Sequence, residues 1–101
     1  MIVELSEQAK ADVVRIDAWW RENRPEAQHL FADELEVVIA LLEVAPDAGE
    51  AYETLRNRRV RRALMSKTRH YAYHYIVSAD LLEIIAIWGT KRGDGPPLHE
   101  R

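Results

Sequence analysis

The 101-residue chain contains no cysteine, and this absence excludes several kinds of chemistry at once. Disulfide bonds, catalysis by a thiol and zinc sites built on cysteine cannot occur. Long apolar runs are also missing, since none approaches the roughly 18–20 residues that a membrane-spanning helix requires. The first residues, MIVEL, lack the basic start and the long apolar stretch of a secretory signal peptide. We therefore expect a cytoplasmic protein that makes no contact with a membrane.

The composition is that of a folded chain. Hydrophobic residues make up 48% of the sequence and charged residues 31%, which is typical of a globular protein and not of a disordered one. The length fits one domain, and we find neither internal repeats nor low-complexity segments. We therefore expect a single domain that extends over residues 1–101.

The net charge of −3 conceals a strong asymmetry between the two halves of the chain. Residues 1–55 carry 13 acidic and 4 basic side chains, whereas residues 56–101 carry 4 acidic and 10 basic ones. Seven of those ten bases lie between Arg56 and Arg69. Two interpretations are open: the charges solvate the surface, or the basic segment contacts phosphates or an acidic partner.

Two segments have the periodicity of amphipathic helices. After a short strand candidate, Ile2–Leu5, Ser6 is placed to cap the first helix. Its apolar stripe consists of Ala9, Val13, Ile16 and Trp20. Pro25 suits the first turn of a second helix. The second stripe consists of Phe31, Leu35, Val38, Leu42 and Ala45. Because the connection is short, we expect an antiparallel helix hairpin.

The remaining regular segments have the period of two that is typical of strands. Strands are predicted at residues 59–65, 70–77 and 82–88, with turns at 66–69 and 78–80. In the middle strand Tyr71, Tyr73 and Tyr75 share one face, and the last strand is almost continuously apolar, as in a strand buried on both faces. The sequence thus predicts an α+β fold: a short N-terminal strand and an antiparallel helix hairpin packed on an antiparallel sheet, in the order β-α-α-β-β-β.

Neither a metal nor a cofactor is expected. His70 and His74 share a strand face, but four residues at about 3.3 Å each place them roughly 13 Å apart, too far to hold one ion. The stretch GTKRGDG precedes no helix and lacks the Gly-Lys-Ser/Thr ending of a phosphate-binding loop. We expect it to be an exposed, mobile tail that stops at Pro96 and Pro97.

The order of elements, together with RRALMSKTRHYAYHYIV, LLEIIAIWGTKRG and GPPL, resembles the RelE/ParE superfamily of toxins from bacterial toxin–antitoxin pairs. The resemblance extends over essentially the whole chain. It implies a small toxin that a cognate antitoxin, ParD-like or related, neutralises by gripping its sheet and helices. RelE-like members are endoribonucleases that cut mRNA on the ribosome, whereas ParE-like members poison DNA gyrase.

Within this resemblance the residues favour the ParE branch. RNA cleavage needs a base, a proton donor and cations at the phosphate. When the tyrosine alternation is matched to the family nucleases, their central-strand arginine position falls on Ala72. No tyrosine follows Tyr75, and the only late histidine is His99. We therefore assign no catalytic residue. A RelE-type ribosome-dependent nuclease that recruits His70 or His74 is the alternative, as is a toxin fold that has lost its toxicity.

In a ParE-like protein a binding surface would carry the function. The candidates for contact with DNA gyrase are Arg59, Arg61, Arg62, Trp88, Lys91 and Arg92. The candidates for contact with the antitoxin are Trp19, Arg69 and Tyr73. Trp19 points about 100° away from the stripe and suits either a partner or partial burial, and Trp88 also fits the core. The arginines would equally protect an edge strand from pairing. We expect no sequence-specific DNA binding by the toxin alone.

Overall fold

Two helices and five strands make up the fold. The structure is a computed structural model that describes residues 1–91, 95, 96 and 98. The elements in chain order are β1 (Ile2–Leu5), α1 (Glu7–Asn23), a 3₁₀ turn (Pro25–Ala27), α2 (Leu30–Val44), β2 (Glu50–Leu55), β3 (Arg58–Met65), β4 (His70–Ser78) and β5 (Leu81–Gly89). They form one sheet in the order β1-β5-β4-β3-β2, in which β1 runs parallel to β5 and the other pairs are antiparallel. The predicted fold class and element order are confirmed.

The sheet contains one strand that the sequence did not predict. Strand β2 has the sequence EAYETL, and only Tyr52 and Leu55 are partly buried, so its apolar alternation is weak. Its pairing with β3 is also irregular, with a register shift between Ala51 and Thr54. Because β2 covers the outer side of β3, the arginine-rich strand lies inside the sheet. The interpretation of its arginines as protection of an edge strand is therefore wrong.

The helices bury the stripes that the sequence predicts. Ala9 and Ile16 of α1 are buried, and Val13 and Trp20 pack partly buried beside them. In α2 the four buried residues are Phe31, Leu35, Val38 and Leu42. The start of α2 differs from the prediction, because Pro25 begins a separate 3₁₀ turn and the helix starts at Leu30.

The sheet has an apolar cluster on each face. The helices cover one face, where Ala63, Met65, Ala72, Leu82, Ile84 and Ile87 pack against them. The opposite face, here called the tyrosine face, carries Val60, Tyr52, Tyr71, Tyr73, Tyr75, Ile85 and Trp88. Leu98 packs against this second cluster, and Pro96 is buried. The predicted exposed segment ends at Pro96 and Pro97, and of its last residues Lys91 and Gly95 are exposed while 92–94 lie outside the described residues.

Helix α1 is tied to β5 beyond the end of β1. The backbone N–H of Ser6 donates to the carbonyl of Ile84 at 2.9 Å, while the Ser6 hydroxyl accepts from the N–H of Ala9 at 3.1 Å and so caps the helix. One turn further, the buried carboxylate of Asp12 accepts the backbone N–H of Ile87 at 3.0 Å. The side chain of Asp12 thus accepts the Ile87 N–H, for which a longer β1 would have supplied a backbone acceptor.

The loop between α2 and β2 is held directly on the sheet. The Nε2 atom of His74 lies 3.1 Å from the carbonyl of Ala48, and the guanidinium of Arg61 donates to the carbonyl of Gly49 at 2.6 Å. Gly49 has a φ of 92°, and a Cβ atom there would collide with the carbonyl of Arg62. Only glycine allows the loop to approach β3 this closely.

We expect Asp12→Ala to lower the free energy of unfolding by about 1–3 kcal/mol, because the buried N–H of Ile87 would lose its acceptor. Asp12→Asn serves as the control, since it keeps an acceptor oxygen and removes only the charge that pairs with Arg15 at 3.1 Å. Urea denaturation should show the larger loss for alanine. Equal losses for the two variants would contradict this role of Asp12.

We expect Gly49→Ala to destabilise the protein by about 2 kcal/mol or more. Alanine would have to adopt a left-handed backbone conformation, and its Cβ atom would collide with the carbonyl of Arg62. Gly89→Ala is a matched control, since nothing lies within 4 Å of a Cβ atom there. Its midpoint of urea denaturation should be unchanged or slightly raised. A similar loss in both variants would show that the close approach of the loop is not what requires glycine.

We expect the stability to fall as the pH is lowered from about 6.5 to about 4. Burial lowers the pKa of His74 from 6.5 to about 4, so the unfolded chain takes up this proton at a higher pH than the folded chain. Neutral His74 therefore contributes its full stabilisation above pH 6.5. The free energy of unfolding falls by about 3 kcal/mol as the pH is lowered from there to about 4. His74→Gln keeps an N–H donor but does not titrate. Urea denaturation against pH should show a shallower decline for that variant, and an unchanged slope would contradict the assignment.

Candidate binding surfaces

The structure distributes the predicted contact residues over three places. Trp19, Arg69 and Lys91 lie together in an open groove of about 830 Å³ between the second half of α1, the β3–β4 turn and the end of β5. Arg62, Tyr73 and Trp88 lie on the tyrosine face, and Arg59 and Arg61 line a smaller cavity near the α2–β2 loop. Arg92 lies outside the described residues.

The groove, here called the basic groove, has a strong positive charge. Its cationic lining residues are Arg15, Arg24, Lys67, Arg69 and Lys91, and Glu22 is the acidic one among the described residues. Trp19 is 46% exposed, its ring meets that of Trp20 edge-on at 5.7 Å, and the Arg24 guanidinium lies 5.2 Å from its centre. A partly exposed indole within a ring of cations suits an acidic partner that also brings an apolar anchor.

Three of these cations, Arg15, Arg24 and Lys67, were not among the predicted contact residues. Arg15 precedes Trp19 by four residues on α1, and residues four apart lie on the same helix face. That spacing is a signal that could have found Arg15. Arg24 and Lys67 enter the groove through a helix C-terminus and a turn, and the sequence contains no periodic signal for either position.

The β3–β4 turn, which forms one wall of the groove, is fixed by α2. The carboxylate of Glu34 accepts the backbone N–H of Lys67 at 2.8 Å, and the N–H and hydroxyl of Thr68 at 3.0 and 2.7 Å. Burial acts to raise the pKa of Glu34, but the hydrogen bonds from Thr68 and Lys67 outweigh it and hold the pKa below its usual value. Arg69 has a φ of 60°, and its carbonyl accepts the N–H of Thr90 at 2.9 Å. Three hydrogen bonds to the Glu34 side chain and one to Thr90, just after β5, thus hold the turn.

On the tyrosine face Arg62 is enclosed by aromatic rings. Its guanidinium lies 4.1 Å from the centre of the Tyr71 ring and 5.3 Å from that of Tyr52. It donates to Glu50 at 2.6 Å and to the Tyr73 hydroxyl at 3.4 Å. The hydrogen bond with Tyr73 raises the pKa of Arg62 further above its already high usual value. Tyr73 itself is 2% exposed, so it can affect a partner only through the side chains that it contacts, which are those of Arg62, Tyr52 and Tyr71.

The smaller cavity, here called the arginine pocket, has a volume of about 420 Å³. It is lined by Pro46, Asp47, Asn57, Arg58, Arg59, Arg61, His74, Tyr75 and Ile76. Arg58 and Asn57 were not among the predicted site residues. Arg56 and Asn57 both adopt positive φ in the tight turn between β2 and β3. This turn directs the arginines that follow it along β3.

The outer side of α2 presents a second kind of surface, which is apolar. Val37, Leu41 and Val44 recur at steps of four and three residues and are 68%, 43% and 83% exposed. This row, here called the outer apolar strip, was missed because the sequence analysis assigned one apolar stripe to each helix. Exposed apolar rows of this kind mark contact surfaces in soluble proteins.

Two other kinds of site are not found in the described part of the chain. Residues 1–91 and the three described tail positions contain no group of three or more histidine, aspartate or glutamate side chains that could hold a metal ion. Over the same residues, neither helix has the length and apolar character needed to cross a membrane.

Comparison with known proteins agrees with this architecture. The sequence profile of a family described as the ParE toxin of type II toxin–antitoxin system, parDE, matches residues 3–93. A solved structure of a chromosomal ParDE TA system from P. aeruginosa is similar, with a TM-score of 0.68 and 18% identity over 90% of this chain and 97% of that chain. At this identity the structural likeness shows the fold alone. No curated protein matches at a significant level. The predicted ParE-like branch is confirmed, and this chain belongs to the ParE toxin family of type II toxin–antitoxin systems.

Proposed function

We propose that this chain inhibits DNA gyrase by direct binding in the cytoplasm, and that a cognate antitoxin neutralises it. Residues 1–101 act together as one toxin domain. The observation that carries the proposal is the family match over residues 3–93, combined with a groove in which cations surround a partly exposed tryptophan. The toxin alone does not read a DNA sequence in this proposal, and it makes no contact with a membrane.

The burial of His74 supports binding over catalysis by this residue. His74 is 0% exposed, and its Nε2 atom faces the Ala48 carbonyl. His70 is half-buried, with its ring 5.5 Å from that of Phe31. A general acid must reach the leaving oxygen of its substrate, and His74 cannot do so without local opening. This burial weighs against His74 as the acid of a ribosome-dependent nuclease, whereas His70 lines the basic groove and is the residue that this alternative would have to use.

The basic groove is the proposed target surface. Trp and Arg are the residue types that most often dominate binding energy at protein interfaces, and Trp19 lies among five cations there. The groove also brings Lys91, a candidate for gyrase contact, beside Trp19 and Arg69, which are candidates for antitoxin contact. An antitoxin segment seated in the groove would therefore neutralise the toxin by covering the surface that gyrase needs.

The outer apolar strip supports the same partner. Val37, Leu41 and Val44 expose apolar area along about two turns of α2, and covering it would contribute roughly 25 cal/mol per Å². We propose that a helical segment of the antitoxin packs on this strip while an acidic segment enters the groove. With these two segments, one antitoxin would bind both the helices and the sheet.

The decisive experiment measures gyrase-catalysed supercoiling and DNA cleavage with titrated, antitoxin-free protein. We expect dose-dependent inhibition with trapped cleavage complexes, reversed when the cognate antitoxin is added. No effect from folded protein would contradict the gyrase proposal. In that case, new mRNA 5′ ends on translating ribosomes would identify the nuclease, and normal growth on strong induction would identify an inactive toxin.

Variants of the groove test its role in this inhibition. Trp19→Ala and Lys91→Gln should each raise the inhibitory concentration about tenfold, the effect of losing roughly 1.4 kcal/mol of contact. Lys10→Gln is the matched control for Lys91→Gln, because it removes the same charge from an exposed position on α1 outside the groove. If Lys10→Gln weakened inhibition as much as Lys91→Gln, net charge and not the groove would explain the effect.

A further inference from the structure

The β3–β4 turn and the first residue of β4 supply a run of the residues that line the basic groove, which are Lys67, Thr68, Arg69 and His70. Lys67 and Arg69 are exposed cations. A short exposed turn has few contacts of its own, so the positions of its side chains depend on what holds its backbone. The affinity of the groove for an acidic partner therefore depends on how this turn is anchored.

The anchor of the turn is a carboxylate that lies outside the described lining of the groove. Oε2 of Glu34 on α2 accepts the backbone N–H of Lys67 at 2.8 Å, and Oε1 accepts the N–H and the hydroxyl of Thr68 at 3.0 and 2.7 Å. Only an ionised carboxylate offers two acceptor oxygens and no hydrogen. Burial acts to raise the pKa of Glu34, but these hydrogen bonds lower it below its usual value, so the side chain is ionised at pH 7.

The same turn is linked to the opposite wall of the groove. The carbonyl of Arg69 accepts the N–H of Thr90 at 2.9 Å, and Lys91 follows directly. Arg69 has a φ of 60°, a conformation that a residue with a side chain keeps only where its surroundings impose it. Releasing the turn from Glu34 would therefore disturb three cations of the groove at once, namely Lys67, Arg69 and Lys91.

We propose that Glu34 is a positioning residue of the basic groove, and that it strengthens the binding of an acidic partner although its own charge repels that partner. This inference rests on the proposed function, which assigns the groove to partner binding. The two effects of Glu34 have opposite signs. Removing its charge makes the groove more positive, which favours an acidic partner. Removing its hydrogen bonds leaves a mobile turn whose cations must be ordered again on binding, which weakens the affinity.

The test uses an acidic probe in place of the partner. A tryptophan-free peptide of alternating glutamate and leucine is titrated into the full chain at neutral pH and constant ionic strength. The readout is the fluorescence of Trp19, assigned by its loss in Trp19→Phe. We expect Glu34→Gln to weaken peptide binding about tenfold, because glutamine has one acceptor oxygen and its amide group would face an N–H donor. Hydrogen exchange at the amides of Lys67 and Thr68 should accelerate in the same variant.

Two control variants separate positioning from charge and from stability. Glu36→Gln removes the same charge from an exposed position on α2 and should leave the affinity unchanged or slightly raised. Gly49→Ala destabilises the α2–β2 loop, outside the described lining of the groove, and should leave the affinity unchanged. If Glu34→Gln does not fold, Thr68→Val provides the same test, because it removes one of the three hydrogen bonds and no charge.

Unchanged or tighter binding by Glu34→Gln would overturn the proposal, as would an equal loss in Gly49→Ala or no saturable binding by the unmodified protein. A gyrase assay separates this inference from the proposed function. If the peptide binds and Glu34→Gln weakens it, but gyrase is unaffected by the unmodified protein, the gyrase proposal alone fails. If the unmodified protein and Glu34→Gln inhibit gyrase and bind the peptide equally well, the inference about Glu34 alone fails.

Discussion

The attachment of α1 to β5 is the constraint on which the groove depends. Strand β1 has only four residues and pairs with β5 as far as Ile84. Beyond that point Ser6 and Asp12 of the helix segment supply the hydrogen bonds to the strand. A helix fixed at two points one to two turns apart has little freedom to rotate about its axis. Trp19, two turns beyond Asp12, is therefore held facing the end of β5, where Lys91 follows.

The fold was predictable where side chains repeat with a clear period. The stripe of α1 from Ala9 to Trp20 encodes a buried helix face, and the alternation in β4 encodes a common side for its tyrosines; both are found as predicted. Strand β2 was not predictable in this way, because Tyr52 and Leu55 alone turn inward and its pairing is irregular. The packing of Leu98 is likewise a tertiary effect, since it depends on apolar surface that other strands create.

The candidate surfaces were predictable in residue type but not in grouping. Trp19, Arg69 and Lys91 were all predicted as contact residues, but the first two were assigned to one partner and the third to another. Only the fold shows that they share one groove. The arginines of β3 were treated as one set, whereas the structure places Arg62 between tyrosine rings and Arg61 beneath a loop. Neighbouring residues of a strand face opposite sides, so a run of like charges does not define one surface.

The left-handed backbone of Arg69 makes one residue serve two requirements. This conformation raises the energy of a residue with a side chain by about 1–2 kcal/mol, whereas glycine would adopt it without strain. Glycine would also remove a cation from the groove. The geometry of the turn and the positive charge of the basic groove therefore impose opposite demands at this position. A substitution of Arg69 by glycine would therefore relieve the strain of the turn and weaken the positive charge of the groove at the same time.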